Sequence, residues 1–112
     1  MAQAATPRQI IIYADASGNE PFSKWLEGLS DTRLRRQILI RLRRVEQGNY
    51  GDYKSLKDGV YELRLMYGPG YRVYFGEQAH QFVVLLCGGD KSSQAKDIEQ
   101  AKTYWKEYQS HA

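Results

Sequence analysis

Glu62, Arg64, Arg72 and Lys91 are the residues of this chain whose types and spacing suit a reaction at phosphate. Glu62 and Arg64 stand two apart in YELRLM, so on a strand they share the face opposite Tyr61, Leu63 and Leu65. Arg72 alternates with Tyr71 and Val73, and the turn Gly68-Pro69-Gly70 sets Arg64 and Arg72 on neighbouring strands. Two arginines side by side repel unless an anion, or a carboxylate such as Glu62, lies between them. The plain alternative is a surface ion pair of Glu62 with either arginine, worth ~0–1 kcal/mol. A Gly88-Gly89-Asp90-Lys91 turn ends the last strand and brings another cation there, and Lys54 and Lys57 approach from the preceding loop. Glycines there let backbone come close to a ligand.

RNA cleavage through the 2′-hydroxyl needs a base, cations on the crowded phosphorane and an acid for the leaving 5′-oxygen. The planar fork of arginine matches phosphate. Tyr50, Tyr71 and Tyr74 offer stacking platforms for bases, if they are not core or rim. His80 falls in a turn and His111 near the C-terminus; they form no dyad and read as solvated, with His111 a candidate acid or base. Cys87 reads as a small buried hydrophobe. The sequence carries no metal-ligand cluster, phosphate-binding glycine loop or dinucleotide fingerprint, so neither metal nor other cofactor is expected.

The elements that must position these residues follow from pattern. Residues 1–8 read as a loose arm, and Gln9 to Tyr13 as a short β-branched strand. Glu20-Pro21 opens a helix whose apolar face is Phe22, Trp25, Leu26 and Leu29. Ser30 or Asp31 caps a second helix with Leu34, Ile38, Leu42 and Val45 as its buried stripe and Gly48-Asn49 as its stop. Tyr50 to Gly59 reads as a loop, followed by strands over 60–67, 71–77 and 81–87. The last of these, FVVLLC, does not alternate, which places it at the centre of the sheet, buried on both faces. A terminal helix spans Gln94 to Tyr108 with Ile98, Ala101 and Trp105 on one side. The order β-α-α-β-β-β-α predicts one α+β domain over residues 1–112, with helices on one face of the sheet and the other face partly open.

Charge narrows the partners. The chain has net +3, yet the stretch from Asp31 to Arg44 holds six arginines against one aspartate, a net of +5. Arg35, Arg36 and Arg43 in that helix are candidate contacts to an anionic partner, nucleic acid or acidic protein, or else a solvated face. A single cysteine forbids an intrachain disulfide and fits a reducing cytoplasm. The first twelve residues show no secretory pattern, and the longest apolar run, Phe82 to Cys87, falls far short of the ~20 residues of a membrane helix. No membrane partner is expected.

The blocks YELRLMYGPGYRVYF and VVLLCGGDKSSQAKDI resemble the RelE/ParE superfamily of bacterial toxin–antitoxin toxins, in particular the HigB-like "addiction module killer protein" branch. The likeness runs from Trp25-Leu26 to the terminal helix. It implies a RelE-like twisted antiparallel sheet with an N-terminal helical hairpin and a C-terminal helix. It also implies a bacterial cytoplasmic endoribonuclease, metal-independent, that cuts mRNA on the ribosome and is restrained by a helix-turn-helix, HigA-like antitoxin. Position by position, Arg72 matches the phosphate-binding arginine, Arg64 a basic residue that orients the 2′-hydroxyl, and Lys91 a basic acid or transition-state stabiliser. Two positions depart: Glu62 stands where RelE has lysine, and Asp97 near its stacking tyrosine. Where the chain departs from the family, Glu62 is a candidate base beside Arg64, and the missing tyrosine leaves room for Tyr71 or Tyr104. The same fold also serves ParE-like gyrase inhibitors, which bind protein and do no chemistry.

Overall fold

The structure is a computed structural model that describes residues 6–111. Its elements in chain order are β1 (Gln9–Ile12), α1 (Pro21–Glu27), α2 (Thr32–Glu46), β2 (Tyr53–Ser55), β3 (Val60–Leu65), β4 (Tyr71–Gln78), β5 (Phe82–Gly89), a 3-10 turn (Lys91–Ser93) and α3 (Gln94–Ser110). The five strands form one sheet in the order β1-β5-β4-β3-β2. It is antiparallel except for β1, which joins β5 in parallel, Ile10 beside Val83. The α+β class and the RelE-like arrangement of elements are as expected from the sequence.

Local chemistry explains the helices. Pro21 sits at the first position of α1, where its missing N–H costs nothing. The Asp31 side chain accepts from the backbone N–H of Arg33 and of Leu34, at 2.9 and 3.3 Å, and so caps α2. Leu34, Ile38, Leu42 and Val45 all reach the core, meeting Leu63, Leu65, Val73, Phe75, Val83 and Leu85 on one face of the sheet. Gly48, with φ of 86°, ends the turn after α2.

The opposite face is covered over much of its length and open at the end that carries Arg64. α3 lies across it, and Ala101 and Trp105 pack with Val60, Tyr74, Val84 and Leu86. The helices thus cover both faces, α1 and α2 on one and α3 on the other. The non-alternating run in β5 has two causes. Both of its faces are covered, and a bulge between the pairs Phe75–Leu85 and Tyr74–Cys87 leaves Leu86 as an extra residue. β5 is an interior strand, but the central one is β4.

Three further sequence expectations change. The loop after α2 contains β2, which pairs with β3 at the sheet edge. Gly88 and Gly89 belong to β5 rather than to a turn. Their role is close approach: a side chain on Gly88 would run into the Trp25 ring, and one on Gly89 into the Asp97 carboxylate of α3. Of the arm assigned to residues 1–8, the first five lie outside the described residues; Arg8 is fastened rather than loose. Its N–H donates to Glu46 O at 2.7 Å and its Nε to the Tyr50 hydroxyl at 3.0 Å, and Glu77 lies 3.9 Å away.

Candidate phosphate-binding site

The register of β2, β3, β4 and β5 lays out a small lattice on the α3 side of the sheet. One row runs Lys54, Glu62, Tyr74, Cys87; the next runs Arg64, Arg72, Gly89. Directly opposed residues on antiparallel strands project to the same side. Arg64 and Arg72 are therefore cross-strand neighbours, as their spacing predicts.

Glu62 lies between them and is 0% exposed, the one charged residue among the described ones to be fully buried. Its Oε1 is 2.5 Å from Arg72 Nε and its Oε2 is 3.9 Å from Arg64 Nε. Gln94, the first residue of α3, donates from Nε2 to the same Oε1 at 2.8 Å. Arg72 Nη1 donates to the Gly70 carbonyl at 2.7 Å. The Arg72 side chain keeps 13% of its surface in solvent and that of Arg64 36%. The carboxylate is thus walled in while the two guanidinium groups reach outward. The expected ion pair of Glu62 with an arginine is present, but it is buried rather than on the surface, and the carboxylate offered as a base has no exposed surface of its own.

Lys91 stands at the rim. Its backbone N–H donates to Pro69 O at 3.2 Å, which ties it to the Gly68–Gly70 turn beside Arg72. Gly70 adopts φ of 75°, and a side chain there would start 3.3 Å from Arg72 Nη1 and 3.7 Å from Lys91 Cβ. Glycine at 70 therefore serves both the turn and the space the two cations need. Asp90 caps the 3-10 turn by accepting from the backbone N–H of Ser92 at 2.9 Å. Its hydrogen bonds from Ser92, with Arg72 contributing less, hold the Asp90 carboxyl below its ordinary range.

Buried side-chain polar atoms without a hydrogen-bond partner concentrate here. Of the five among the described residues, four are Glu62 Oε2, Arg64 Nε, Arg72 Nε and Tyr74 OH; the fifth is Trp105 Nε1. Three of these atoms, Glu62 Oε2, Arg64 Nε and Arg72 Nε, belong to the ion-paired cluster itself, where charge attraction offsets part of the roughly 1–3 kcal/mol that each poorly aligned hydrogen bond costs. Burial first, then the Glu62 and Asp97 carboxylates, pushes the Tyr74 phenol far above its ordinary value and keeps it neutral.

Other candidates fall elsewhere. Lys54 flanks Glu62 from the edge strand and is exposed. Lys57 lies in the β2–β3 turn, at the far end of β3 from Arg64 and roughly 13 Å along the strand. Tyr71 points to the α1–α2 face and packs near Trp25, ring centroids 6.5 Å apart, so it offers no platform beside the arginines. Tyr50 is buried and its hydroxyl donates to Glu77 at 2.8 Å. Tyr104 stacks on Tyr13 at 4.9 Å, ten residues along α3 from Gln94. Asp97 accepts from Ser93 Oγ at 2.5 Å inside the first turn of α3. His80 and His111 are exposed and remote. Cys87 is buried, and burial, with Asp97, pushes its thiol up to about 12, which suits a packing residue and not a nucleophile. Arg35, Arg36 and Arg43 lie on α2, across the sheet from the lattice. Among the described residues no cluster of three or more His, Cys, Asp or Glu could hold a metal, and no helix is long and apolar enough to cross a membrane.

Two residues of the site were missed from sequence. Gln94 looks like any polar residue at a helix start. Arg41 was one of six arginines in a basic stretch, yet it turns inward and donates to Tyr50 O (2.9 Å), Asp52 O (2.8 Å) and Arg64 O (2.7 Å). It fastens α2 to the backbone that carries Arg64. No local pattern marks either; both depend on contacts across the fold.

The mixed sheet with α1 and α2 on one face and α3 on the other, and with cations at the open end of the α3 side, defines a RelE-like α+β protein. Residues 24–109 match the family described as phage-derived protein Gp49-like (DUF891), and the chain belongs to that family. The family is associated with RelE/HigB-like toxins of toxin–antitoxin modules, which implies an antitoxin partner. An uncharacterized protein of Haemophilus influenzae is 52% identical over 81 residues, covering 72% of this chain and 82% of its own.

Proposed function

We propose that the protein is the toxin of a toxin–antitoxin module and acts as a metal-independent endoribonuclease on mRNA held by the ribosome. The observation that carries the proposal is the opposition of Arg64 and Arg72 with one buried carboxylate between them. Two guanidinium groups against one buried carboxylate leave a net positive charge; Lys54 and Lys91 add to it at the rim, and Asp90 and Asp97 offset part of it. A phosphodiester completes that balance. In the reaction the ribose 2′-oxygen attacks phosphorus, its proton passes to a base, the P–O5′ bond breaks and the leaving 5′-oxygen takes a proton. Arg72 holds a non-bridging oxygen as charge grows on the phosphorane, Arg64 orients the 2′-hydroxyl, and Lys91 serves the leaving oxygen as acid or stabilising charge. The arginines of α2, on the opposite side, supply a separate docking surface for ribosomal RNA. A helix-turn-helix, HigA-like antitoxin restrains the enzyme by covering one of these surfaces, its acidic groups opposing the arginines.

The test is cell-free translation of a defined mRNA with and without the purified protein, with RNA ends mapped by primer extension, beside the same mRNA without ribosomes. New ends only in the translating sample support the proposal. Intact mRNA with normal translation overturns it.

A second reading has one observation in its favour. Leu39 and Ile40 on α2 are 54% and 43% exposed, which suits a protein-docking face. On that reading the chain is a ParE-like inhibitor of DNA gyrase, and it inhibits supercoiling in vitro while leaving mRNA intact.

A further inference from the structure

We propose that Glu62 and Gln94 are positioning residues that hold Arg72 with one edge of its guanidinium facing outward for an oxyanion, rather than groups that exchange protons with substrate. The inference rests on the phosphate-binding reading of this site and names what prepares it.

A carboxylate at 0% exposure is costly to bury unless it is paired and hydrogen-bonded, and an apolar residue of similar size often serves stability as well. Glu62 has that pairing, and its partners come from three directions. Arg72 Nε lies 2.5 Å from Oε1, Gln94 donates to the same oxygen at 2.8 Å, and Arg64 Nε stands 3.9 Å from Oε2. The guanidinium of Arg72 is held on two sides, by Glu62 at Nε and by the Gly70 carbonyl at Nη1, at 2.7 Å. Its Nη2 makes no hydrogen bond among the described residues and belongs to the edge left for a ligand. Glu62 also offsets the repulsion of two arginines placed directly opposite each other.

Gln94 brings α3 into this arrangement. The helix start is fixed against β5 by the Asp90 cap, by the Ser93–Asp97 hydrogen bond and by the close approach over Gly89. The first turn of α3 therefore sets Gln94, Gln94 sets Glu62, and Glu62 sets Arg72. Arginine has four flexible side-chain torsions, so an unheld guanidinium would lose much of its advantage on binding. The clamp removes that freedom before the ligand arrives.

The test uses the full chain, labelled with nitrogen-15, and records arginine Nε–H signals during titration with inorganic phosphate. Arg72 is assigned by the signal that Arg72→Lys removes. In the wild type this signal exchanges slowly with water and moves as phosphate is added. Glu62→Gln, which keeps shape but not charge, speeds its exchange and weakens phosphate binding about tenfold. The double variant Glu62→Gln/Gln94→Glu returns a carboxylate to the pair and restores most of both. Thermal unfolding of each variant separates a lost fold from a lost clamp. An Arg72 signal equally protected in Glu62→Gln, or one that phosphate never moves, overturns the inference. Ribosome-dependent cleavage gives the second readout: Glu62→Gln lowers kcat about 10²-fold at unchanged KM. If cleavage ignores Arg72→Ala, the nuclease reading fails, and the exchange and titration data still decide the clamp.

Discussion

The two faces of this sheet are built from the same strands in alternation, yet they do different work. The face under α1 and α2 is mainly apolar, Leu63, Leu65, Val73, Phe75, Val83 and Leu85 against the stripe of α2, with Glu77 beside Tyr50 and Arg8 at its edge. The face under α3 changes character along its length. At one end Trp105 packs over Val60, Tyr74, Val84 and Leu86; at the other, where α3 begins, Glu62, Arg64, Arg72 and Gln94 meet. A strand with period two lets one face specify the fold while the other carries charge. The bulky face anchors the positions of Arg64 and Arg72, because the residues between them in β3 and β4 are core. The rigidity of the site thus comes from the opposite side of its own strands.

Variants on each face should separate stability from function. The largest effect is expected on the apolar face. Phe75→Ala removes a buried ring and should cost about 3–5 kcal/mol in urea unfolding. Arg64→Ala should cost far less, since that side chain is partly solvated; a comparable loss would show that the two faces do not divide fold from function. Gly89→Ala probes the junction of the faces. Its new methyl group would meet the Asp97 carboxylate and push the start of α3 outward. The expected cost is about 1–3 kcal/mol in unfolding, together with weaker phosphate binding, because Gln94 moves with the helix.

The rim of the apolar face should show itself in alkali. Burial, and then the hydrogen bond to Glu77, pushes Tyr50 from its usual 10.0 up to about 12. A raised folded-state pKa gives stability that is complete below pH 10 and lost as pH rises through 12, because the unfolded chain releases the proton first. Denaturant midpoints should therefore fall between pH 10 and 12, and Tyr50→Phe should reduce the fall in that window. The smallest effect lies farthest from both faces. The β4–β5 turn puts Ala79 and His80 at φ of 56° and 52°, values that favour Asn and Gly. Replacing the pair by Asn-Gly should raise stability by about 1 kcal/mol and leave phosphate binding unchanged.

Features set by short-range interactions are legible in the sequence, and those set by contacts across the fold are not. α2 was legible because its cap and its apolar stripe lie within a few turns of each other. The sharing of one face by Glu62, Arg64 and Arg72 was legible because parity within a strand is local, and the Gly68-Pro69-Gly70 turn pairs the two strands. Parity also set Tyr71 with Val73 and Phe75, on the side where the structure has it. Gly88 and Gly89 misled, since glycine signals a turn, whereas here it makes room for Trp25 and Asp97, residues far apart in the chain. β2 was hidden because three residues show no alternation. The stripe of α3 announced an amphipathic helix but not which face it would cover. The burial of Glu62 was the deepest omission: a carboxylate in an alternating strand reads as exposed, and only Gln94, 32 residues away, together with Arg72, explains its place.

The central claim is that chemistry resides at the cationic end of the α3 side. The most direct test is the single-turnover rate of mRNA cleavage on programmed ribosomes by wild type and Arg72→Ala, with the unfolding temperature of each measured alongside. The expected result is a loss of at least about 10²-fold at nearly unchanged unfolding temperature. Cleavage by Arg72→Ala at the wild-type rate would contradict it.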